Sequence, residues 1–185
     1  MSSSIPRLWA PWRGEWITSQ KELRKDAQTE KEQCPFCEEP TKAPSETNLV
    51  LFSNERIFVI MNKFPYNPGH LMVIPRAHAA TPNDLSPALW NEINQAIPLV
   101  IDCVQRAYSP QGFNLGMNLG QAGGAGIPGH MHWHILPRWV GDTNFMPLLA
   151  EAKAINTHNV TIYRLLKGEF QGFAEKLADA MMKSK

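Results

Sequence analysis

Three of the six histidines in this 185-residue chain fall within five positions, as His130, His132 and His134. A spacing of two matches the period of a β-strand. A strand over 130–138 therefore puts the three imidazoles on one face and Met131, Trp133 and Ile135 on the other. Such a row suits two chemistries. Two or more imidazoles can ligate one metal ion. Alternatively, a neutral imidazole nitrogen can attack phosphorus and form a phosphoramidate, which water or another acceptor then breaks. In that case the neighbouring groups donate hydrogen bonds to the phosphoryl oxygens. The residues upstream favour phosphate. Seven of the twelve glycines lie between Gly112 and Gly129. The stretch Gly120-Gln121-Ala122-Gly123-Gly124-Ala125-Gly126 offers backbone amides bare of side chains, as an anion cradle needs. It is no dinucleotide fingerprint, since a strand rather than a helix follows it. It is no P-loop either, since Gly-Lys-Ser/Thr is missing.

Cys34 and Cys37 form a second constellation. In a chain expected not to be secreted, Cys-x-x-Cys is a zinc half-site, a redox pair or a pair without cofactor. The redox reading wants the motif between a strand and a helix of a βαβ unit, but here it precedes the sheet. Zinc wants two more ligands for a tetrahedron, and His78 and His130 are available.

The elements that must position these groups follow from patterning. Asn48–Ser53 and Arg56–Met61 read as a hairpin about Asn54-Glu55, and His70–Pro75 reads as a third strand after a turn over Asn62–Gly69. Leu85, Leu89, Ile93, Ile97, Val100, Ile101 and Val104 keep a helical period, with the cap near Asp84. Pro98 is expected to kink or divide that helix, and Cys103 to be a buried small hydrophobe on it. Gly112–Gly120 reads as a fourth strand and His130–Arg138 as a fifth, with helices near 146–155 and 169–183. Strands, a long helix, strands and then helices predict an α+β fold with an antiparallel sheet.

Composition sets the outer bounds. A net charge of +1, from 18 Lys+Arg against 17 Asp+Glu, excludes a broad basic platform for nucleic acid and an acidic tail. Hydrophobic residues at 43% support a real core. No run of eighteen apolar residues predicts a membrane span, and the N-terminus lacks the apolar segment of a secretory signal. Three cysteines make no disulfide framework, and a cytoplasmic protein is expected. The expected organisation is an N-terminal arm over 1–33, rich in Trp, Pro and Arg before residue 20, then a domain over 34–145 and a helical extension over 146–185 packed on it.

His130-Met131-His132-Trp133-His134-Ile135-Leu136 resembles the defining pattern of the histidine-triad (HIT) superfamily of nucleotide hydrolases and transferases. Asn67-Pro68-Gly69-His70-Leu71-Met72-Val73-Ile74-Pro75 and Asn118-x-Gly120 agree with it in order. Leu8-Trp9-Ala10-Pro11-Trp12-Arg13, Cys34-Pro35-Phe36-Cys37 and Pro137-Arg138-Trp139 are similar to the bacterial branch related to diadenosine tetraphosphate phosphorylases. The resemblance implies a five-stranded antiparallel sheet with a long helix and C-terminal helices, in a homodimer that shares a larger sheet. It implies His132 as nucleophile, His134 as donor to the α-phosphate, and His70 in a proton relay behind the nucleophile. Asn118 would contact phosphate or the leaving side, and Asn62 falls where relatives place an acidic ribose ligand. Structural zinc on Cys34, Cys37, His78 and His130 matches the related galactose-1-phosphate uridylyltransferases. Many relatives carry a loop hydroxyl before the triad. Gly124-Ala125-Gly126-Ile127 has none, so phosphate contact would rest on the amides of Gly124 and Gly126 or on Gln121. The implied substrate is an adenine nucleotide derivative such as diadenosine tetraphosphate, with phosphate or water as acceptor. Hydrolysis of AMP conjugates, non-catalytic nucleotide binding and a metalloenzyme using the three histidines are the alternatives.

Overall fold

The computed structural model describes residues 34–38, 43–143 and 157–184. The expected arm over 1–33 and the expected helix near 146–155 lie outside these residues.

Five short strands form one antiparallel sheet: β1 (Val50–Ser53), β2 (Ile57–Met61), β3 (Leu71–Pro75), β4 (Gly112–Gly116) and β5 (Trp133–Arg138). Their spatial order is β1-β2-β3-β5-β4. The β1–β2 turn is held by Asn54, whose Oδ1 accepts the N–H groups of Arg56 and Ile57, both at 2.8 Å. Asx acceptance of this kind is what makes Asn a turn former. The central strands are buried along their whole length, β2 and β3 at every position. Two covered faces give such apolar runs rather than alternation.

Helix α1 is a single turn, Pro35–Glu38, and α2 runs from Pro87 to Tyr108. Ser86 caps α2, its side chain accepting from Leu89 N–H at 3.2 Å. Asp84, the expected cap, instead serves the 3-10 turn Pro82–Asp84, accepting from the Thr81 N–H at 2.8 Å. Pro98 does not divide α2, which is continuous through it. The proline lies on the exposed face, where the carbonyl it leaves without a donor can turn to water. Cys103 is buried on the inner face.

The C-terminal residues form α3 (Asn159–Glu169) and α4 (Phe173–Lys183). The expected helix over 169–183 is thus only partly present. Gly172 at φ 70° breaks the path between the two helices, a conformation that costs glycine nothing. Both helices join the core on the α2 face of the sheet. Tyr163 Oη donates to the Val50 carbonyl at 3.0 Å, and the Phe52 and Phe173 rings lie 4.7 Å apart.

Two expected strands are shorter than their sequence pattern. β4 stops at Gly116, opposite His134, one residue short of the start of β5 at Trp133. β5 begins at Trp133, not His130, because Met131 N–H leaves the ladder for the Ala79 carbonyl at 2.7 Å.

Candidate active site and metal centre

Cross-strand partners share a face. His134 stands opposite Met72, and Met72 opposite Ile60. The histidine face therefore continues into an apolar strip, while Trp133 and Ile135 turn to the side covered by α2. The three imidazoles follow one another as expected, although two precede the regular strand. His132 and His134 have ring centroids 4.8 Å apart. The Phe36 ring of α1 stands edge-on to both His130 and His132, at 5.6 and 5.1 Å.

Each ring has its proton placed by a different partner. His132 Nδ1 lies 2.9 Å from the His130 carbonyl, which can only accept. Nδ1 therefore carries the hydrogen and Nε2 keeps a free lone pair. His70 Nδ1 accepts from the Tyr66 N–H at 3.2 Å and faces Asn62 Nδ2 at 3.3 Å. His70 Nε2 then carries the hydrogen and donates it to His134 Nδ1 at 2.8 Å. This leaves the hydrogen of His134 on Nε2, a buried atom with no hydrogen-bond partner among the described residues. A buried donor left open is costly unless a ligand completes it. The result is one imidazole with a bare lone pair beside another with a bare N–H.

Burial keeps these rings neutral. It lowers His132, and it lowers His134 to about 4 and His70 to about 3, with the neighbouring imidazoles adding to the effect. The relay expected behind His132 differs from the arrangement found: a carbonyl backs His132, and His70 backs His134.

The second cluster gathers Cys34, Cys37, His78 and His130, whose ligand atoms all lie within 4.8 Å of one another. Cys34 Sγ is 3.3 Å from His130 Nδ1, and Cys37 Sγ is 3.3 Å from His78 Nδ1 and 3.6 Å from His130 Nδ1. A tetrahedral zinc site has ligand atoms about 3.6 Å apart. His130 Nε2 donates to the Pro75 carbonyl at 2.8 Å, which frees Nδ1 as the ligand atom, the usual outer-sphere support of a metal histidine. Donor chemistry and spacing fit zinc. The three triad histidines do not converge on one ion, since the described residues form only this metal-type group.

The remaining expected residues are placed less closely. Asn118 Nδ2 donates to the Gly124 carbonyl at 3.4 Å, which braces the glycine loop. Gln121 opens a 3-10 turn, Gln121–Gly123, and Gly124 follows at φ 83°. Gly126 is exposed. The Asn62 amide lies behind His70, its Oδ1 accepting the Phe64 N–H at 2.9 Å. Patterning missed Tyr66, whose ring lies 4.7 Å from His70 and 5.8 Å from His134, and Phe36. The cue for Phe36 was its place between the two cysteines. For Tyr66 no local cue existed, because only the folded β2–β3 loop carries it to His134.

A model of the HIT domain matches residues 43–140, more than half of the chain and the span that holds the triad. The chain belongs to the HIT domain family. It is 32% identical over 151 residues to a Mycobacterium tuberculosis protein named AP-4-A phosphorylase, an alignment covering 82% of this chain and 77% of the relative. Among solved structures it resembles a hypothetical histidine triad nucleotide-binding protein of Sulfolobus tokodaii, with a TM-score of 0.56 and 25% identity over 79% of this chain and 93% of the other. A zinc-bound histidine triad family protein of Mycobacterium smegmatis shares the fold, with a TM-score of 0.56 and 23% identity over 77% of this chain and 96% of the other. The α+β sheet expected from patterning is thus the sheet of the HIT fold, with the triad leading into β5 and His70 immediately before β3.

Proposed function

We propose that this HIT protein is a nucleotidyl transferase that cleaves dinucleoside polyphosphates, diadenosine tetraphosphate foremost, at the α-phosphorus. The observation that carries the reading is the pairing of a bare Nε2 lone pair on His132 with an unpartnered Nε2–H on His134. In the first step His132 Nε2 bonds to the α-phosphorus, the bond from phosphorus to the bridging oxygen breaks, and the polyphosphate leaves with that electron pair. His134 Nε2–H donates to a phosphoryl oxygen as charge gathers there. In the second step the acceptor oxygen forms a bond to phosphorus, the P–N bond breaks and its electron pair returns to His132. The likeness to a protein named AP-4-A phosphorylase over four-fifths of the chain supports orthophosphate as the acceptor. The amides of Gly124 and Gly126, together with Gln121 and Asn118, form the phosphate-facing loop in this reading.

The reading includes a structural zinc on Cys34, Cys37, His78 and His130. Such an ion would tie the 34–38 segment to the start of the triad and do no chemistry itself. It also includes a homodimer, supported by the half-exposed edge strand β4 with Leu115 outward. A cytoplasmic setting is supported by three free cysteines. No helix among the described residues is long and apolar enough to cross a membrane. Residues 34–145 form the catalytic domain, and 146–185 an extension of it.

Product analysis with diadenosine tetraphosphate, with and without orthophosphate, tests the reading. ADP plus ATP, formed only with phosphate, is the expected result. AMP plus ATP in both conditions replaces the acceptor by water. AMP binding without turnover of this substrate or of AMP phosphoramidates overturns the enzymatic reading.

A further inference from the structure

The β2–β3 loop carries the Tyr66 ring over His70 and His134, yet its tip is not anchored by burial. Phe64 is 78% exposed and Tyr66 50%. What the loop buries instead is a polar side chain, Asn67, at 1% exposure. Its Nδ2 donates to the Pro137 carbonyl at the end of β5, at 3.0 Å, and to Asp142 Oδ2 in the turn beyond, at 2.8 Å. Gly69 closes the same seam. It sits at φ 77°, and a Cβ there would come within 3.3 Å of the Pro137 ring. Asp142 is itself tightly held. The Arg138 guanidinium grips both carboxylate oxygens, Nε on Oδ2 at 2.6 Å and Nη2 on Oδ1 at 2.9 Å, and Nη1 is fixed to Asn114 Oδ1 of β4 at 2.6 Å. The Trp139 N–H and the Thr143 hydroxyl donate to the same carboxylate, at 3.1 and 3.0 Å. These hydrogen bonds, led by that of Arg138, keep the Asp142 carboxyl far below the usual carboxylate range. Asn67 is thus tied to a fixed anion, and a charged acceptor makes the stronger hydrogen bond.

From these contacts we infer that Asp142 and Asn67 are positioning residues: their hydrogen bond clamps the β2–β3 loop to the turn after β5 and so holds the Tyr66 ring over the imidazoles of His70 and His134. Both act through the loop and not on substrate. The consequence for catalysis rests on the proposed function of this site, but the clamp is a property of the free protein. The loop start is held separately, since the Asn62 N–H donates to the His70 carbonyl at 2.9 Å and its own carbonyl accepts from Asn159 Nδ2 at 3.4 Å. The clamp therefore governs the later half of the loop. There the Asn67 carbonyl also accepts the His70 N–H at 3.1 Å, so a shift of Asn67 reaches the imidazole pair through the backbone as well as through Tyr66. Misplacement by about 1 Å can cost up to roughly 100-fold in rate.

The test compares Asp142→Ala, Asn67→Ala and the double variant in the full-length, zinc-supplemented protein, with Tyr66→Leu as the reference for a lost ring. Amide hydrogen exchange over residues 62–70 should quicken by about 10-fold or more in each single variant, while exchange over β2 stays within about 2-fold of native. In NMR spectra the ring protons of His70 and His134 should move toward their positions in Tyr66→Leu. On diadenosine tetraphosphate kcat should fall by roughly 10-fold with KM within about 3-fold of native, and the double variant should be no worse than the poorer single one. Faster exchange over β2 as well, or single losses that multiply in the double variant, would mean separate structural contributions and overturn the inference. Unchanged exchange over 62–70 or unchanged imidazole shifts overturn it too, as does a native kcat in variants whose loop has loosened. If the native protein turns over no dinucleoside polyphosphate, the proposed function fails, and the exchange and ring-proton shifts still decide the clamp.

Discussion

His130 and His132 are two residues apart and share a ring neighbour in Phe36, yet they hold opposite tautomers. His130 gives its Nε2–H to the Pro75 carbonyl and turns Nδ1 to two thiols. His132 gives its Nδ1–H to the His130 carbonyl and keeps Nε2 free. In the proposed reading, one becomes part of a closed four-ligand set and the other the nucleophile. The residue type is the same and the burial similar. What differs is which ring nitrogen meets a backbone carbonyl, and so which nitrogen is left to face the thiols or the open site.

Substitutions can break this division. Replacing His132 by Asn has the largest expected effect: turnover of diadenosine tetraphosphate should fall by about 10⁴-fold or more, while bound zinc, measured by atomic spectroscopy, stays at the native level. Loss of zinc together with activity would mean that the two clusters act as one site.

Replacing Cys34 by Ser acts on the other side. Zinc content should drop to near zero, and the thermal midpoint should fall by roughly 10 °C, because the metal's binding energy contributes to folding. Retained metal in that variant, with metal lost on changing His132 and His134 instead, would reverse the division.

Acid should separate the clusters in a third way. His70 and His134 sit well below their ordinary value of 6.5, at about 3 and about 4. Between those values and 6.5 the unfolded chain binds more protons than the folded one. The stability they confer is therefore full above about pH 6.5 and lost as pH falls toward 4 and 3. Urea unfolding at pH 7 and pH 4.5 should show this loss, and His70→Gln should flatten it. An unchanged slope would mean that His70 is not held neutral by burial.

The smallest effect is expected at the shared neighbour. Phe36→Leu should cost less than about 1.5 kcal/mol of stability in denaturant titration, with zinc retained, because a volume-matched apolar swap still covers both rings. Loss of zinc there would show that the aromatic edge, not only the thiols, holds His130 in place.

Much of this site was legible from residue type and spacing. The period of two in His130, His132 and His134 put three imidazoles in a row, and coordination arithmetic on Cys34 and Cys37 pointed to His78 and His130, which the fold brings together. The interior runs of β2 and β3 and the period of α2 were equally local signals. What failed were non-local decisions. Pro98 reads as a breaker until it is known to face solvent. Gly112–Gly120 alternates like a long strand, yet its ladder with β5 ends at Gly116.

The sequence by itself determined that five imidazoles and two thiols would be available, on which elements, and in what order. Those are matters of period and covalent reach. Only the tertiary structure decided which nitrogen of each ring carries the hydrogen. That choice depends on carbonyls and amides from residues as distant as Pro75 is from His130, or Tyr66 from His134, and no short-range pattern encodes it. Because an imidazole has two inequivalent nitrogens and one proton, its chemistry is written by whichever neighbour packs against it.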